Sequence, residues 1–306
     1  MNERDPIRNQ TIIAEKGKVS APEWTKKIIE RNRNLWKNKS CCNFEDHLNF
    51  WTNEISSKLN RLRGDENINP KFSIVVPAHN EEEYILQLLE SISNQKNNNG
   101  GIEIIVVVND SNDRTAEISR KCGAKVIEYK QDKPYPPVAY ARQIGLEEAK
   151  GEIILSTDAD IIVGENWVEK ITQPIMEDDN VSVTIGDVNH YDGKLLHPTL
   201  LNPINKILRR CEIVFKTNKG LVAFSNIATK RQNIIDVNGW PQKNVAEDTI
   251  LIRRLISIGN PVITNKETTV WSSGRRSMIS YKDFIANSRK GGDHFVDKDG
   301  KLKITR

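Results

Sequence analysis

Between Phe44 and Leu62 the apolar residues Phe44, Leu48, Trp51, Ile55, Leu59 and Leu62 recur at steps of three and four. That spacing predicts one helix with a single buried stripe. Upstream, Trp24, Ile28, Ile29, Leu35 and Trp36 sit among Lys26, Lys27, Arg31, Arg33 and Lys37, which predicts a second amphipathic helix with a cationic face. The turn-rich GDENINP at 64–70 separates this pair from the rest of the chain. The pattern divides the chain into an N-terminal helical arm or extension, 1–70, and a second domain, 71–306.

From Lys71 the chain becomes short β-rich runs alternating with helical ones. FSIVVP reads as a strand, and EEYILQLLESISNQ places Ile85, Leu88, Leu89 and Ile92 on one helix face. IEIIVVV is a second strand whose unbroken apolar run suits burial on both faces. DRTAEISRKCG is a helix ending at Gly123, AKVIEY a third strand, and a helix over Ala139–Ala149 leads to EIILS, a fourth strand that stops at Thr157. This repetition predicts an α/β fold, a doubly wound, mostly parallel sheet with helices on both faces. In such sheets ligands sit at the carboxyl ends of the strands. Further on, VSVTIG at 181–186 reads as a strand and Asn202 with Pro203 opens a helix carrying Ile204, Ile207, Leu208 and Cys211. Ala246–Ile258 forms another helix, with Leu251, Leu255 and Ile258 inward.

Composition narrows the class. Hydrophobic residues at 37% and charged residues at 28% of 306 suit one full globular core and exclude disorder along the whole chain. The four cysteines show no paired CxxC spacing and read as reduced thiols. The longest apolar runs fall well short of the ~18 residues a spanning helix needs, and no apolar signal core follows Met1. A cytoplasmic location is therefore expected. Net charge is +4, yet residues 1–40 alone hold ten Lys or Arg against five Asp or Glu. Nucleic acid is not an expected partner. The cationic arm suggests peripheral contact with an anionic membrane face carrying a lipid-linked acceptor. The alternative is that both arm stripes pack on the domain and cover its apolar surface.

The fourth strand releases Asp158-Ala159-Asp160, and alternate residues of an extended segment point the same way, so two carboxylates are expected to face one point. Such hard oxygen ligands suit Mg²⁺ or Mn²⁺ bridging to nucleotide phosphates, although a solvated acidic turn reads the same in isolation. PAHNEE at 77–82 and NDSNDRT at 109–115 are polar loops that open helices and can hold a base and ribose. Simple capping by Asn80 and Asp113 also accounts for them.

SIVVPAHNEE, EIIVVVNDSNDRTAEI and AYARQIGLEEAKGEIILSTDAD occur in this order, and SNIATKR, GWPQ and AEDTILIRRLISIG come after them. Over about residues 71–276 the chain resembles the family 2 glycosyltransferases of the GT-A fold. The resemblance implies that Pro77, His79, Glu81 and Asp110 contact the base of a nucleoside-diphosphate sugar, and that Arg142 approaches base and ribose. It implies that Asp158 contacts the ribose or metal waters, that Asp160 ligates the metal, and that Glu247 or Asp248 deprotonates a hydroxyl acceptor, on a lipid-linked or soluble glycan. The paired acids usual in the second loop appear here as Asn109 and Asp110, and that loop is one residue short.

A carboxylate at a helix start keeps its charged form and can act as a base, which supports Asp248; an acidic helix cap is the plain alternative. Arg275, with Gly274 and Arg276, is expected to neutralise the departing diphosphate or to be a solvated basic turn. His294 is a candidate extra metal ligand or a surface histidine. The expected activity is inverting, metal-dependent glycosyl transfer. The alternatives are a retaining transferase of the same fold, a sugar nucleotidyltransferase, and a nucleotide-sugar-binding protein without turnover.

Overall fold

A computed structural model describes residues 21–65, 68–96, 100–130, 137–191, 224–242, 247–263 and 266–273. The two N-terminal stripes form α1 (Glu23–Lys37) and α2 (Phe44–Leu62), the second with the bounds its periodicity predicts. Leu48, Trp51, Ile55 and Leu59 are at most 2% exposed because they pack against α3 (Ile85–Ser93) and α4 (Thr115–Lys121). Ile28 and Ile29 of α1 cluster with Ile162 and Trp271. The apolar face that would meet a membrane thus lies within the protein, and the exposed side of α1 is the cationic one, Lys26, Lys27, Arg33 and Lys37. Arg31 ties the helices together, donating to Glu54 of α2 at 3.0 Å and Glu90 of α3 at 3.1 Å. Burial pushes the Glu90 carboxyl above its ordinary pKa against the pull of Arg31, while hydrogen bonds from Lys58 and Arg31 hold Glu54 below its own.

Four strands form the expected parallel block: β1 (Phe72–Ala78), β2 (Ile102–Asn109), β3 (Lys125–Tyr129) and β4 (Ile153–Ser156), side by side as β3-β2-β1-β4. The chain leaves β1 toward β2 and later returns to its other side as β4, so the switch point lies between β1 and β4. Ile102, Ile104, Val106 and Val108 of β2 join the core that holds the side chains of α2 and α3. Ile105 and Val107 join the core that holds those of α5 (Pro137–Glu148). A strand covered on both faces has no polar positions to alternate, which explains its unbroken apolar run.

The remaining elements are β5 (Ile161–Ile162), α6 (Trp167–Glu177), β6 (Val181–Ile185), β7 (Val188–His190), β8 (Ile227–Lys230), α7 (Arg231–Asp236), α8 (Glu247–Ile256), β9 (Asn260–Ile263) and β10 (Val270–Ser272). The main sheet continues from β4 through β8, β6 and β9, with β8 antiparallel to both neighbours. A small second sheet has the order β5-β10-β7. ETTVW at 267–271 reads as strand-like and contains the start of β10, but β8, β5 and β7 are not expected from sequence, since runs of two to four residues carry too little periodicity to be recognised. Ile258, expected inward, is 47% exposed because α8 stops at Ile256 and Ile258 falls in the turn beyond. Among the described residues no helix is long and apolar enough to cross a membrane. Cys41, Cys42 and Cys122 are free. The helix expected after Asn202, with Cys211, lies outside the described residues.

Helix α5 lies on β1 at Gly145, where a Cβ would fall 2.3 Å from Val75 Cγ1. A helix-interior glycine costs roughly 1 kcal/mol relative to alanine, but overpacking against a central strand costs about 1–3 kcal/mol. Gly145→Ala is therefore expected to lower the melting temperature by about 3 °C in calorimetry. A rise instead would mean that α5 can slide off β1.

Candidate active site

β1 and β2 end together, Ala78 pairing with Val108, and both chains then turn through left-handed residues, Asn80 at φ 53° and Asp110 at φ 42°. Asn and Asp are the side-chain-bearing residues that most readily adopt this conformation. The two loops are stitched to each other. Asn80 N–H donates to Ser111 Oγ at 2.9 Å, and Asn112 N–H donates back to Asn80 Oδ1 at 2.9 Å. Glu81 N–H reaches Thr115 Oγ1 at 2.8 Å, Glu82 N–H reaches Asp113 Oδ2 at 3.0 Å, and Arg114 N–H reaches Glu82 Oε2 at 3.2 Å. His79 Nδ1 lies 2.6 Å from the Asn109 carbonyl, to which it donates.

This corrects the capping reading of Asn80. Helix α3 begins at Ile85 without a side-chain cap, and Asn80 serves the neighbouring loop instead. Asp113 does take the Thr115 N–H at 3.0 Å, at the start of α4. The loops satisfy each other's backbone donors and so form one stiff wall. On that wall His79 and Asp110 are exposed and Pro77 is half-buried. Glu81 and Asn109 are buried, and Asn109 Oδ1 has no hydrogen-bond partner among the described residues.

The segment after β4 leaves the same edge of the sheet, beside the loop after β1. Thr157 N–H donates to the Val75 carbonyl at 3.3 Å, and Ile161 N–H donates to the Asp158 carbonyl at 3.3 Å, closing a turn. The acidic triplet is therefore not the extended segment expected from alternation. Ala159, 3% exposed, fills the core, and β5 comes at once and pairs with β10. Ser273 N–H donates to the Asp160 carbonyl at 3.2 Å, so the triplet is clamped between the two sheets. Asp160 is 4% exposed.

Arg142 enters from α5, where it is 3% exposed. Its Nη2 donates to Asp158 Oδ1 at 2.7 Å and its Nε to Ser156 Oγ at 3.1 Å. The guanidinium lies 5.6 Å from the centroid of the Trp240 ring, and Trp240 N–H is held by Gln143 Oε1 at 2.9 Å. Sequence pattern does not single out Ser156, Gln143 or Trp240, although Trp240 stands in the GWPQ motif. Asn226 of SNIATKR has a different task. It accepts from Trp167 Nε1 at 2.8 Å and donates to the carbonyls of Asp187 at 2.8 Å and Thr268 at 2.7 Å, joining the two sheets.

Asp158→Asn would remove the carboxylate charge that faces the buried Arg142 cation at 2.7 Å. Because about a third of the Asp158 side chain is exposed, the expected cost is roughly 2 kcal/mol, below the range for a fully buried pair. Urea unfolding checks this, and an unchanged midpoint would show that the Asp158 charge does not contribute to stability.

Helix α8 starts at Glu247, so the backbone puts Glu247 and Asp248 in its first turn; their side chains lie outside the described residues. Arg275, its neighbours Gly274 and Arg276, and His294 also lie outside. Among the described residues no cluster of three or more His, Cys, Asp or Glu side chains could hold a metal. The donor set of Asp158 and Asp160 instead fits Mg²⁺ or Mn²⁺ of the kind held by one or two carboxylates, water and substrate phosphates.

A family model described as glycosyl transferase family 2 matches residues 73–234, more than half of the chain. The chain belongs to this family. Among its curated relatives, a probable glycosyltransferase, YdaM of Bacillus subtilis, is 30% identical over 203 residues, covering 62% of this chain and 47% of its own. Glycosyltransferase GlyG of Streptococcus pneumoniae is 35% identical over 127 residues, covering 39% and 40%. The chain thus spans about half or less of these relatives. Mannosyltransferase PcManGT of Pyrobaculum calidifontis, solved with GDP-Man and Mn²⁺, superposes with a TM-score of 0.55 at 17% identity, covering 84% of this chain and 71% of that one. Truncated S. aureus TarS, residues 1–349 with UDP-GlcNAc, gives 0.50 at 20% identity, covering 67% and 59%. These likenesses establish a GT-A-like fold for this family 2 chain.

Proposed function

We propose that this protein moves a sugar from a nucleoside-diphosphate sugar to a hydroxyl acceptor, with inversion at the anomeric carbon. The observation that carries the reading is the crevice at the β1–β4 switch point. There a stiff two-loop wall bearing His79 and Asp110 stands at the same carboxyl edge of the sheet as the Arg142–Asp158 pair and Asp160. Family membership supports it, as do the donor complexes of PcManGT and TarS.

On this reading Pro77, His79, Asn109 and Asp110 line the base, with Glu81 buried behind them setting the loop. The Arg142–Asp158 pair orients the ribose. Asp248, in the first turn of α8, takes the proton of the acceptor hydroxyl as its oxygen attacks the anomeric carbon. The bond from that carbon to the diphosphate breaks, and both electrons leave with the nucleoside diphosphate. Asp160, together with Asp158, would hold Mg²⁺ or Mn²⁺, which when bound would supply positive charge to that leaving group. Arg275 adds to it from the protein side.

A thermal-shift screen of UDP-, GDP-, CDP- and dTDP-sugars, with and without Mn²⁺, identifies the donor. A ligand at 100 times its dissociation constant raises stability by ~2.7 kcal/mol. Turnover of that donor, with the product anomer read by NMR, tests the reaction. A product of retained configuration would remove Asp248 as base and leave a retaining transferase of the same fold.

A further inference from the structure

A second pocket, outside the crevice, lies between α1 and α3. Its volume is about 300 Å³, near the lower end of the range for small-ligand sites. Its wall carries three aromatic rings, Trp36, Tyr84 and Tyr191. Its polar side chains are unusual for a helix–helix contact. Asn32 and Gln87 are 6% and 2% exposed, and Asn32 Nδ2 donates to the Glu83 carbonyl at 2.5 Å. Asn32 Oδ1 accepts from Trp36 Nε1 at 3.2 Å, and Gln87 Nε2 donates to the Tyr191 hydroxyl at 2.5 Å. Arg33 and Lys37 stand at the mouth, exposed and without an ion pair among the described residues, and only Glu83 opposes them within the lining.

Rings beside fixed amide and hydroxyl groups suit a sugar, whose C–H faces pack on aromatic surface while its hydroxyls seek hydrogen bonds. Two cations at the mouth suit an anionic substituent. The pocket is also connected to the catalytic end of the sheet. Tyr84 belongs to the loop after β1, and Tyr191 N–H donates to the Ser272 carbonyl, one residue before the Ser273 that holds Asp160. We propose that this pocket is a binding subsite for an anionic sugar, a phosphate- or carboxylate-bearing unit of the acceptor. Its use by the acceptor rests on the transferase reading above; the binding itself does not. Helix α1 precedes the family match at residues 73–234, so the subsite is built partly from residues outside the matched segment.

The test uses the full chain and glucose 6-phosphate, glucuronate and glucose as probes in calorimetric titration, with and without saturating nucleoside diphosphate. The expected result is saturable binding of one or both charged sugars with a dissociation constant on the order of 1 mM, undisturbed by the nucleotide. Binding of glucose should be at least about tenfold weaker. The two charged probes separate phosphate from carboxylate recognition. Arg33→Ala with Lys37→Ala removes two exposed side chains, so the fold and nucleotide binding should persist while charged-sugar binding falls about tenfold or more. Binding that nucleotide displaces, that the double variant leaves unchanged, or that is absent up to ~10 mM would overturn the proposal. None of these outcomes depends on turnover, so failure of the transferase reading would be seen separately.

Discussion

Asp160→Ala is expected to abolish the metal-dependent part of donor binding, a loss of at least about 100-fold in affinity measured by calorimetry with Mn²⁺. The size of that loss is set by position. Altering a residue behind a metal ligand already costs 10–100-fold, so removing a ligand itself costs more. Asp160 is 4% exposed and its backbone carbonyl is held by Ser273, so its turn should keep its shape without the carboxylate. A buried polar side chain still has local bonds to lose, at roughly 1–3 kcal/mol. Asp160→Asn is the control for that loss, since it keeps the volume and removes only the charge. Both variants should bind nucleotide sugar weakly and indifferently to Mn²⁺. Donor affinity in Mn²⁺ equal to that of the unaltered protein would refute the metal assignment.

Asp248→Asn should leave donor affinity within a few fold while turnover falls by about 10² to 10⁴, the usual contribution of a positioned general base. The residue lies in the first turn of α8, where the helix dipole favours the ionised carboxylate. The amide cannot take a proton from the acceptor, yet it fits the same space. Comparison with Glu247→Gln identifies which of the adjacent acids acts, because only one can face the acceptor. If Asp248→Asn turns over within about threefold of the unaltered protein, far inside that range, the base is elsewhere or the mechanism retains configuration.

Much of this architecture is legible in the chain because its elements are periodic and local. The stripe from Phe44 to Leu62 becomes α2 with the same bounds, and the runs FSIVVP, IEIIVVV, AKVIEY and EIILS become the parallel block, whose strands end at Ala78, Asn109, Tyr129 and Ser156. Side-chain spacing of 3.6 or 2 is written directly into the order of residues, and strand ends with polar loops locate the ligand edge. The pattern singles out Asp158 and Asp160 as candidates, whereas Arg142, His79 and Asp110 are named through the family resemblance.

Tertiary structure decides what depends on partners far away in sequence. Asn80 reads in the sequence as a helix cap, yet it serves a loop some thirty residues on, because the parallel pairing of β1 and β2 brings the two turns together. The acidic triplet reads as extended, but it must turn because the small sheet begins at Ile161 and is completed by strands contributed from residues 188–190 and 270–272. Trp240 meets Arg142 across 98 positions of chain, and no pattern within either segment announces that contact. The arm's apolar stripes predict burial without saying against what. Only the packed structure shows that α2 lies on α3 and α4 and that α1 lies on α3 and the small sheet. A local pattern states that a face must be buried, whereas its partner is chosen by the global closure of the core.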